Sequence, residues 1–565
     1  SLSKLDLHNV YLPPFKGAID AGCRTLMTTF SEVNGVPGTA HEYLLEGVLR
    51  QLWGFRGFVV SDWNSVVEMI AHGYSADGAE AARQALTAGV DMEMVSPAYH
   101  QHLATLVKEG AVPESAVDEA VRRILRVKFE LAWGAKSQIA AGDSLGRAAE
   151  RAVMRPRSLE LARRLARESV VLLKNSEQTL PLNRDALRRI AVIGSLADDA
   201  KSQLGCWSLD GDARETVTAL EAIRNAVGES AEVVYSRGAS ADFSTDASGL
   251  KVAAELAAGA DVAIVFVGED ALLSGEARSR VELSLPGVQS ELVRAVATTG
   301  TPTVIVVLAG RPLTIGAECE VVDAVLYAWH PGTMGGPAIA DVLFGSAAPS
   351  GKLPVTFPKH VGQTPLYYGH MNTGRPSPKS YQPLSASGQK DLPVDFQYRS
   401  HYLDSDPFPL FPFGYGLSYT TFAYDELQVS TDEIAAGQTL GVTARVTNTG
   451  ERSGTEVVQL YVRDLVASVV RPVKELKAYR RVYLRPGESR IVEFALDASD
   501  LAYLDAEGKP VLEPGEFAVG IGGDSSVELD GRFQLNASGS MQEKRPAAVA
   551  RRPGDGVKQH GREAD

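Results

Sequence analysis

The sequence predicts a multidomain protein with two α/β regions followed by an all-β region. Three observations predict this class. Helical and strand patterns alternate over residues 1–135 and again over residues 185–385, which is typical of parallel sheets covered by helices. From Phe408 onward, short alternating strands are separated by turn residues, which indicates a β-sandwich. The length of 565 residues accommodates two to four domains.

The first region, residues 1–135, is predicted to contain three strands connected by helices. The predicted strands are Arg24 to Phe30, Phe58 to Asp62 and Gly89 to Met94, and the predicted helices are Tyr11 to Ala21, Glu42 to Gln51, Ala79 to Ala88, His100 to Glu109 and Pro113 to Glu130. A parallel barrel needs eight strands. The region is therefore either a small open sheet or part of a barrel whose other strands lie outside this sequence.

The second region, residues 185–385, is predicted to be a parallel sheet covered on both faces. A linker at residues 136–184 precedes it and is predicted to end in a helix from Ser158 to Leu173. Near-continuous runs of Val and Ile predict strands that are buried on both sides. These runs are Ile190 to Gly194, Val233 to Tyr235, Val262 to Val267, Thr303 to Leu308 and Ala324 to Tyr327.

The third region, residues 406–536, follows a polar linker at residues 386–405 and is predicted to be a β-sandwich of immunoglobulin or fibronectin type III character. Its predicted strands include Thr439 to Thr447, Glu456 to Val462, Ser489 to Leu496 and Gly515 to Ile521. Residues 537–565 are charged and poor in apolar residues, which predicts a disordered tail.

Composition excludes several classes of partner. A net charge of −14 argues against binding to nucleic acid, and no apolar stretch reaches the roughly 18 residues of a membrane helix. Three distant cysteines predict neither a disulfide framework nor a zinc site.

Ser1 is not an initiator Met and no leader follows it, so we expect a processed, truncated or incomplete N-terminus. The compartment stays open between periplasm, exterior and cytoplasm, and the oligomeric state stays open, with a homodimer among the possibilities.

The candidate catalytic residue of the first region is Asp62. It closes the run Gly57-Phe58-Val59-Val60-Ser61-Asp62-Trp63, whose β-branched and aromatic residues predict a buried strand. In parallel barrels the chemistry lies at the carboxyl ends of the strands. A carboxylate beside an indole suits attack on an anomeric carbon, with the ring stacked on the sugar. The alternative is that Asp62 caps the next helix, and the motif alone does not decide.

A second candidate, Glu276, lies in the loop Gly268–Arg280, directly after the predicted strand that ends at Val267. Loops in this position commonly carry functional side chains. A retaining glycosidase needs two carboxyl groups roughly 5–5.5 Å apart, a nucleophile and an acid/base. Asp62 and Glu276 are of the right residue types for these roles. The alternative for Glu276 is a solvated loop with surface ion pairs of little energetic value.

Eight segments along the chain carry a resemblance to a known family. They are Leu26–Gly35, Trp53–Trp63, Ala88–Met94, Glu168–Asn175, Trp329–Gly332, Gly351–Pro358, Tyr367–Tyr368 and Phe413–Phe422. In this order they resemble glycoside hydrolase family 3, the β-glucosidase family. The resemblance implies the C-terminal part of a (β/α)8 TIM barrel, then an α/β sandwich with a mainly parallel sheet, then a fibronectin type III-like β-sandwich.

The resemblance also implies roles for single residues. Asp62 matches the family's nucleophile, and Glu276 matches an acid/base that the second region delivers to the barrel. Trp63 matches an aromatic wall of the sugar site. Two further residues, Met27 and Phe30, stand where the family lines its glucosyl pocket.

Arg280 lies in a stretch similar to the family's acid/base loop, and we expect it to contact substrate. The implied activity is that of a retaining, exo-acting β-D-glucosidase. It would release glucose from the non-reducing end of short β-glucosides and cello-oligosaccharides, with no metal and no organic cofactor.

The sequence departs from the family in its first barrel strands, which have no counterpart here. In the family these strands carry the Asp, Arg and Lys-His groups that hold the glucose hydroxyls. Residues 135–156 also differ from the family's usual linker. Because positioning accounts for much of an enzyme's rate, a non-catalytic carbohydrate-binding remnant is one alternative function. A β-xylosidase and a glycoside phosphorylase of the same family are the others.

Overall fold

The computed structural model describes residues 1–131, 154–377 and 399–536. The predicted tail lies outside these residues, as do parts of both predicted linkers. The described chain forms two compact units: the first holds residues 1–131 and 501–512, and the second holds the remainder. This division joins the α/β region and the β-sandwich in one unit. The finer domain boundaries stay a prediction.

The first unit is an α/β fold built around a short parallel strand pair. Its labelled helices are α1 (Lys4–Asp6), α2 (Pro13–Asp20), α3 (Ser65–Ala71), α4 (Gly78–Ala88), α5 (Ala98–Lys108) and α6 (Glu114–Glu130), and two π-helical segments are Leu7–Tyr11 and Tyr43–Leu52. Its strands are β1 (Thr25–Met27), β2 (Glu32–Val33), β3 (Val36–Pro37) and β4 (Phe58–Val60). Strands β1 and β4 pair in parallel, with Met27 opposite Val60.

Two expectations for the first unit differ from the structure. The strand predicted over Gly89 to Met94 is reduced to an isolated parallel bridge between Val60 and Met92. Helix α3 was not predicted, because its seven residues are fewer than the roughly 11–18 over which a helical period can be recognised.

Helix α4 shows how the local sequence sets the packing of this unit. The helix begins after Asp77, whose side chain accepts the N–H groups of Ala79 and Glu80, and it ends at Gly89 with φ +109°. One face carries alanines that are fully buried: Ala81, Ala82 and Ala85. Small side chains let this helix approach the core in which Val59 of β4 is also fully buried.

The second unit contains a six-stranded sheet in the order β5–β10–β9–β8–β6–β7. The strands are β5 (Val171–Asn175), β6 (Arg189–Ile193), β7 (Glu232–Ser236), β8 (Val262–Gly268), β9 (Thr303–Leu308) and β10 (Ala324–Tyr327). All neighbours are parallel except β5, which runs antiparallel to β10. The accompanying helices are α7 (Pro156–Ser169), α8 (Ala200–Leu204), α9 (Ala219–Val227), α10 (Leu250–Ala258), α11 (Gln289–Ala297), α12 (Gly316–Val321) and α13 (Gly335–Leu343).

The helix predicted from Ser158 to Leu173 is wrong at its C-terminal end. Helix α7 ends at Ser169, and the next apolar residues form the edge strand β5. Residues 171–173 are fully buried between two core clusters, which a strand achieves by alternating its side chains between both faces of the sheet.

The same unit contains the β-sandwich, with a three-stranded sheet β11–β13–β16 and a five-stranded sheet β12–β20–β19–β14–β15. Its strands are β11 (Phe422–Val429), β12 (Glu433–Ala435), β13 (Thr439–Asn448), β14 (Gly454–Asp464), β15 (Glu475–Leu484), β16 (Ser489–Asp497), β19 (Gly515–Gly522) and β20 (Gly531–Asn536). Alternating burial along β13 gives the three-stranded sheet one core face.

A short hairpin from this stretch of sequence belongs to the first unit. Strands β17 (Tyr503–Leu504) and β18 (Pro510–Val511) pair in antiparallel fashion. The Asn9 side chain donates to the carbonyl of Leu504 at 2.7 Å and accepts its N–H at 2.8 Å. The first unit is therefore assembled from two separate segments of the chain.

Candidate active site

Asp62 lies two residues beyond the carboxyl end of β4, where the sequence predicts the nucleophile. Ser61 between them is fully buried, donates its N–H to the carbonyl of Met92 at 2.8 Å and accepts the N–H of Met94 at its hydroxyl. The backbone N–H of Asp62 points to the hydroxyl of Thr28 at 3.3 Å. These bonds tie the end of β4 to the chain segments on either side of it.

The carboxylate of Asp62 does not cap the following helix. Its Oδ1 accepts the N–H of Trp63 at 2.7 Å, whereas the N–H of Ser65 goes to the backbone carbonyl of Asp62. Helix α3 has Asn64 at its N-cap, with φ +60° and no capping bond from that side chain. The alternative that Asp62 caps the helix is therefore wrong. Its carboxylate is half-buried near the end of β4 and makes no helix-capping bond.

Three predicted sugar-binding residues of the first unit accompany Asp62. Met27 ends β1, the strand paired with β4, and its side chain is exposed. Phe30 follows on the same connection and is half-buried, with its carbonyl accepting a hydrogen bond from His72. Trp63 is 61% exposed, so the indole face is open. The structure thus places these residues at the carboxyl ends of two neighbouring parallel strands.

A buried cluster of charged side chains is hydrogen-bonded to β4. Asp91 accepts hydrogen bonds from Arg50 at 2.6 Å and from Arg123 at 2.9 Å. Burial raises the pKa of Asp91 above its ordinary value, and the neighbouring Arg50 opposes that rise. These contacts indicate that Asp91 has a structural role.

Glu276 lies in the second unit, in a loop that follows the fully buried strand β8. Gly268 ends the strand with φ +138°, and a Cβ there would lie 1.9 Å from the carbonyl oxygen of Leu308. Glu276 is exposed and is flanked by two left-handed residues, Gly275 at φ +110° and Ala277 at φ +57°. A non-glycine residue in this region carries backbone strain, which is common where a loop presents a functional side chain.

Arg280, the sixth predicted site residue, is engaged within its own unit. Its side chain is 6% exposed, and Nη1 lies 2.7 Å from a carboxylate oxygen of Glu269. Its guanidinium also lies over the ring of Phe243, 5.3 Å from the centroid. Contact of Arg280 with a sugar stays a prediction.

Two residues near Glu276 were missed by the sequence analysis. Glu269 is completely buried at the start of the loop, and its sequence signal was a carboxylate placed directly after an apolar strand. Trp207 is 66% exposed, and its ring lies 3.8 Å from where a Cβ on Gly275 would stand. The sequence feature that could have identified Trp207 is a single indole in a loop that is otherwise rich in Gly, Ser and Asp.

Asp62 with its three neighbours and Glu276 with its loop belong to different units. Asp62 is followed by the exposed Trp63, and Glu276 follows Gly275, near which the exposed Trp207 lies. Carboxylates and aromatic rings are the groups that glycoside chemistry uses.

Comparison with known proteins identifies the family. Residues 1–127 match the glycosyl hydrolase family 3 N-terminal domain, residues 170–419 match the glycosyl hydrolase family 3 C-terminal domain, and residues 456–525 match a fibronectin type III-like domain. The chain belongs to glycosyl hydrolase family 3. The predicted family, the fold class and the class of enzyme, a glycoside hydrolase, are confirmed.

Individual relatives agree with this assignment. The periplasmic β-glucosidase of Salmonella typhimurium is 40% identical over 94% of this chain and 70% of its own length. A β-xylosidase of Formosa agariphila is 36% identical over 93% of this chain and 71% of its own length. A mutant β-glucosidase from Listeria innocua, solved with laminaribiose, superposes with a TM-score of 0.86 at 34% identity, covering 96% of this chain and 71% of that one.

Two features are absent from the residues that the structure describes. Within that part of the chain no helix combines the length and apolar character needed to cross a membrane. The same residues contain no group of three or more His, Cys, Asp or Glu side chains placed to hold a metal ion.

Proposed function

We propose that this protein is a retaining, exo-acting β-D-glucosidase. The observation that carries the proposal is the position of Asp62 at the end of β4, free of helix capping and next to an exposed indole. Relatives named as β-glucosidases support the choice of glucose. The proposed substrates are short β-glucosides and cello-oligosaccharides.

In the first chemical step, a carboxylate oxygen of Asp62 attacks the anomeric carbon of the terminal glucosyl unit. The bond between this carbon and the glycosidic oxygen breaks, and Glu276 gives its proton to the departing oxygen. The products are a glycosyl ester on Asp62 and a free leaving-group sugar. The step requires both carboxyl groups to reach the same glycosidic bond.

In the second step, Glu276 accepts a proton from water while the water oxygen attacks the anomeric carbon. The ester bond to Asp62 breaks and glucose leaves with its β-configuration retained. Both carboxyl groups return to their starting protonation states. Two inversions at one carbon therefore account for net retention.

The aromatic residues would orient the sugar units. We propose that Trp63 stacks on the glucosyl ring, and that Met27 and Phe30 line its pocket. Trp207 would offer its exposed face to the leaving group, because it lies against Gly275, the residue before the proposed acid. Apolar sugar faces stack favourably on indoles, which are large and rigid.

The test is covalent trapping on this chain. After incubation with a 2-deoxy-2-fluoro-β-glucosyl inactivator, intact mass and peptide mapping should reveal one fluoroglucosyl group on Asp62. An adduct on another residue, or none on a chain shown to be folded by circular dichroism, would contradict the proposal. The second outcome would favour the carbohydrate-binding alternative.

A β-xylosidase is the second candidate, since a Formosa agariphila relative of similar coverage carries that name. The two activities differ by one hydroxymethyl group on the substrate. Comparing kcat/KM for 4-nitrophenyl β-glucoside and β-xyloside decides between them, and we expect the glucoside to be preferred. Turnover that depends on inorganic phosphate would instead indicate a phosphorylase.

For the compartment, we propose the periplasm among the three that the sequence leaves open. The name of the Salmonella typhimurium relative places that enzyme there. Immunoblots of periplasmic and cytoplasmic fractions from the source cells test this proposal, and a signal confined to the cytoplasmic fraction would contradict it.

A further inference from the structure

The buried carboxylate of Glu269 joins both ends of the loop that carries Glu276. Its Oε1 lies 2.7 Å from Nη1 of Arg280, beyond Glu276 in the chain. Its Oε2 accepts the hydroxyl of Ser274 at 3.0 Å, before Glu276 in the chain. One carboxylate thus contacts residues before and after the proposed acid in the chain. The Glu269 side chain is 0% exposed.

Arg311 adds a second set of links to the same carboxylate. Its Nε lies 3.1 Å from Oε2 of Glu269, and its Nη2 donates to the carbonyls of Leu273 and Arg278. Leu273 and Arg278 again lie on opposite sides of Glu276. Arg311 follows β9, the neighbour of β8. The loop is therefore hydrogen-bonded to a residue beyond the carboxyl end of a neighbouring strand as well as within itself.

The loop backbone would not hold this form without such contacts. Gly275 and Ala277 on either side of Glu276 both have positive φ, and a non-glycine residue such as Ala277 carries backbone strain in that region. Glu276 itself is exposed, so packing does not fix its backbone. The ion pairs of Glu269 are buried, where charge-assisted bonds are strong and leaving one partner unpaired is costly.

We propose that Glu269 is a positioning residue that holds the acid/base loop in its working geometry. This inference rests on the proposed role of Glu276. Glu269 touches no substrate in this scheme and transfers no proton. It acts by fixing Ser274, Arg280 and Arg311 around the loop. General acid catalysis depends on placement to within about 1 Å, so loss of Glu269 should weaken proton donation.

The variant Glu269→Gln keeps the side-chain shape and removes the charge. Its kcat should fall about 10- to 100-fold on cellobiose, whose leaving sugar needs a proton. The fall should be several-fold smaller on 2,4-dinitrophenyl β-glucoside, whose leaving group needs none. Sodium azide should accelerate turnover of the aryl glucoside and yield β-glucosyl azide, because azide replaces water without needing a base.

Two reference variants separate this inference from the proposed function. Glu276→Gln should likewise lose more kcat on cellobiose than on 2,4-dinitrophenyl β-glucoside, and we call this difference the substrate split. Its split should be larger than that of Glu269→Gln, and it should also form β-glucosyl azide in larger amount. If it does not, the acid/base assignment fails. If it does and Glu269→Gln loses activity equally on both substrates, or shows no azide product, the positioning role is overturned. Glu282→Gln, an exposed carboxylate two residues beyond the loop, is the matched control and should behave as the unaltered chain.

Two further measurements decide the matter if the first variant fails to fold or the chain has no turnover. Ser274→Ala removes one bond to Glu269 and keeps both ion pairs, and it should show a smaller split in the same direction; no split would overturn the role. Hydrogen exchange of the peptide covering residues 272–280 needs no activity. It should be faster in a folded Glu269→Gln or Ser274→Ala variant than in Glu282→Gln, and equal rates would overturn the proposal.

Discussion

Val59, at the centre of β4, donates its backbone N–H to the buried carboxylate of Asp91 across 2.8 Å. The same carboxylate binds the guanidinium groups of Arg50 and Arg123. Arg50 in turn donates to the carbonyl of Gly57, just before the strand. The strand that ends near Asp62 is therefore held by a charged cluster as well as by its pairing with β1.

Asp91→Asn should lower the free energy of unfolding by up to about 3–5 kcal/mol. It removes the buried carboxylate that Arg50 and Arg123 share, and only the longer ion pairs with Glu46 and Glu119 remain. Urea unfolding followed by circular dichroism measures the change. Asp118→Asn is the control, since its ion pair with Arg122 is exposed and should be worth less than about 1 kcal/mol. Equal effects of the two substitutions would contradict the structural role of Asp91.

Glu276→Gln should spare activated aryl glucosides far more than cello-oligosaccharides, because an aryl leaving group departs without a proton. We expect the loss of kcat on cellobiose to reach about 100- to 10,000-fold. Steady-state kinetics on both substrates measure it. Asp62→Asn, the comparison, should abolish turnover of both, and an equal loss on both by Glu276→Gln would remove that residue from the acid/base role.

Trp207→Ala should lower kcat/KM for substrates whose leaving group is a sugar and spare substrates whose leaving group has no ring. Loss of a stacking contact worth about 0.5–1.5 kcal/mol lowers kcat/KM for cellobiose about two- to tenfold. β-Glucosyl fluoride has no leaving ring to stack and should be unaffected. Leu209→Ala, an exposed apolar residue of the same loop, is the control. A similar loss on the fluoride would show that Trp207 acts on something other than the leaving group.

Stability of the second unit should fall as the solution is acidified below pH 6.5, partly through His330. Burial lowers the pKa of His330 below its ordinary value of 6.5. Below pH 6.5 the unfolded chain takes up a proton that the folded one resists. The stabilisation is therefore present above pH 6.5 and is lost as pH falls through the lower, folded value. Urea unfolding between pH 7.5 and pH 5 measures the slope.

His330→Asn is the matched variant for this slope. An asparagine amide can replace Nδ1, which lies 3.2 Å from the carbonyl of Ser202, and it does not titrate. The variant should lose less stability between pH 7.5 and pH 5 than the unaltered chain. Parallel stability curves for the two proteins would show that His330 does not contribute.

The sheet of the second unit could be predicted closely because its strands are uninterrupted apolar runs. Strands β9 and β10 match their predicted bounds residue for residue. Strand β5 was missed because Val171–Leu173 continue the apolar pattern of the preceding helix, and only pairing with β10, some 150 residues away, makes them a strand. Local pattern does not contain that information.

The candidate site divides in the same way. Asp62 and Glu276 could be proposed from short motifs, because Asp62 ends a strand that is recognisable in the sequence and the loop of Glu276 follows another. The buried role of Glu269 could not, since it depends on Arg311, which lies 42 residues further along the chain. Whether Asp62 caps a helix was likewise undecided until its hydrogen bond to Trp63 was known.

The hairpin β17–β18 constrains how this protein can be dissected. Residues 501–512 come late in the sequence, yet they belong to the first unit and bind Asn9. The chain therefore leaves the first unit, builds most of the second and returns before finishing the second. A gene fragment ending near residue 131 would lack part of its own fold. Recombining this protein with a relative by a single crossover between residues 9 and 501 would leave Asn9 facing a hairpin from a different protein.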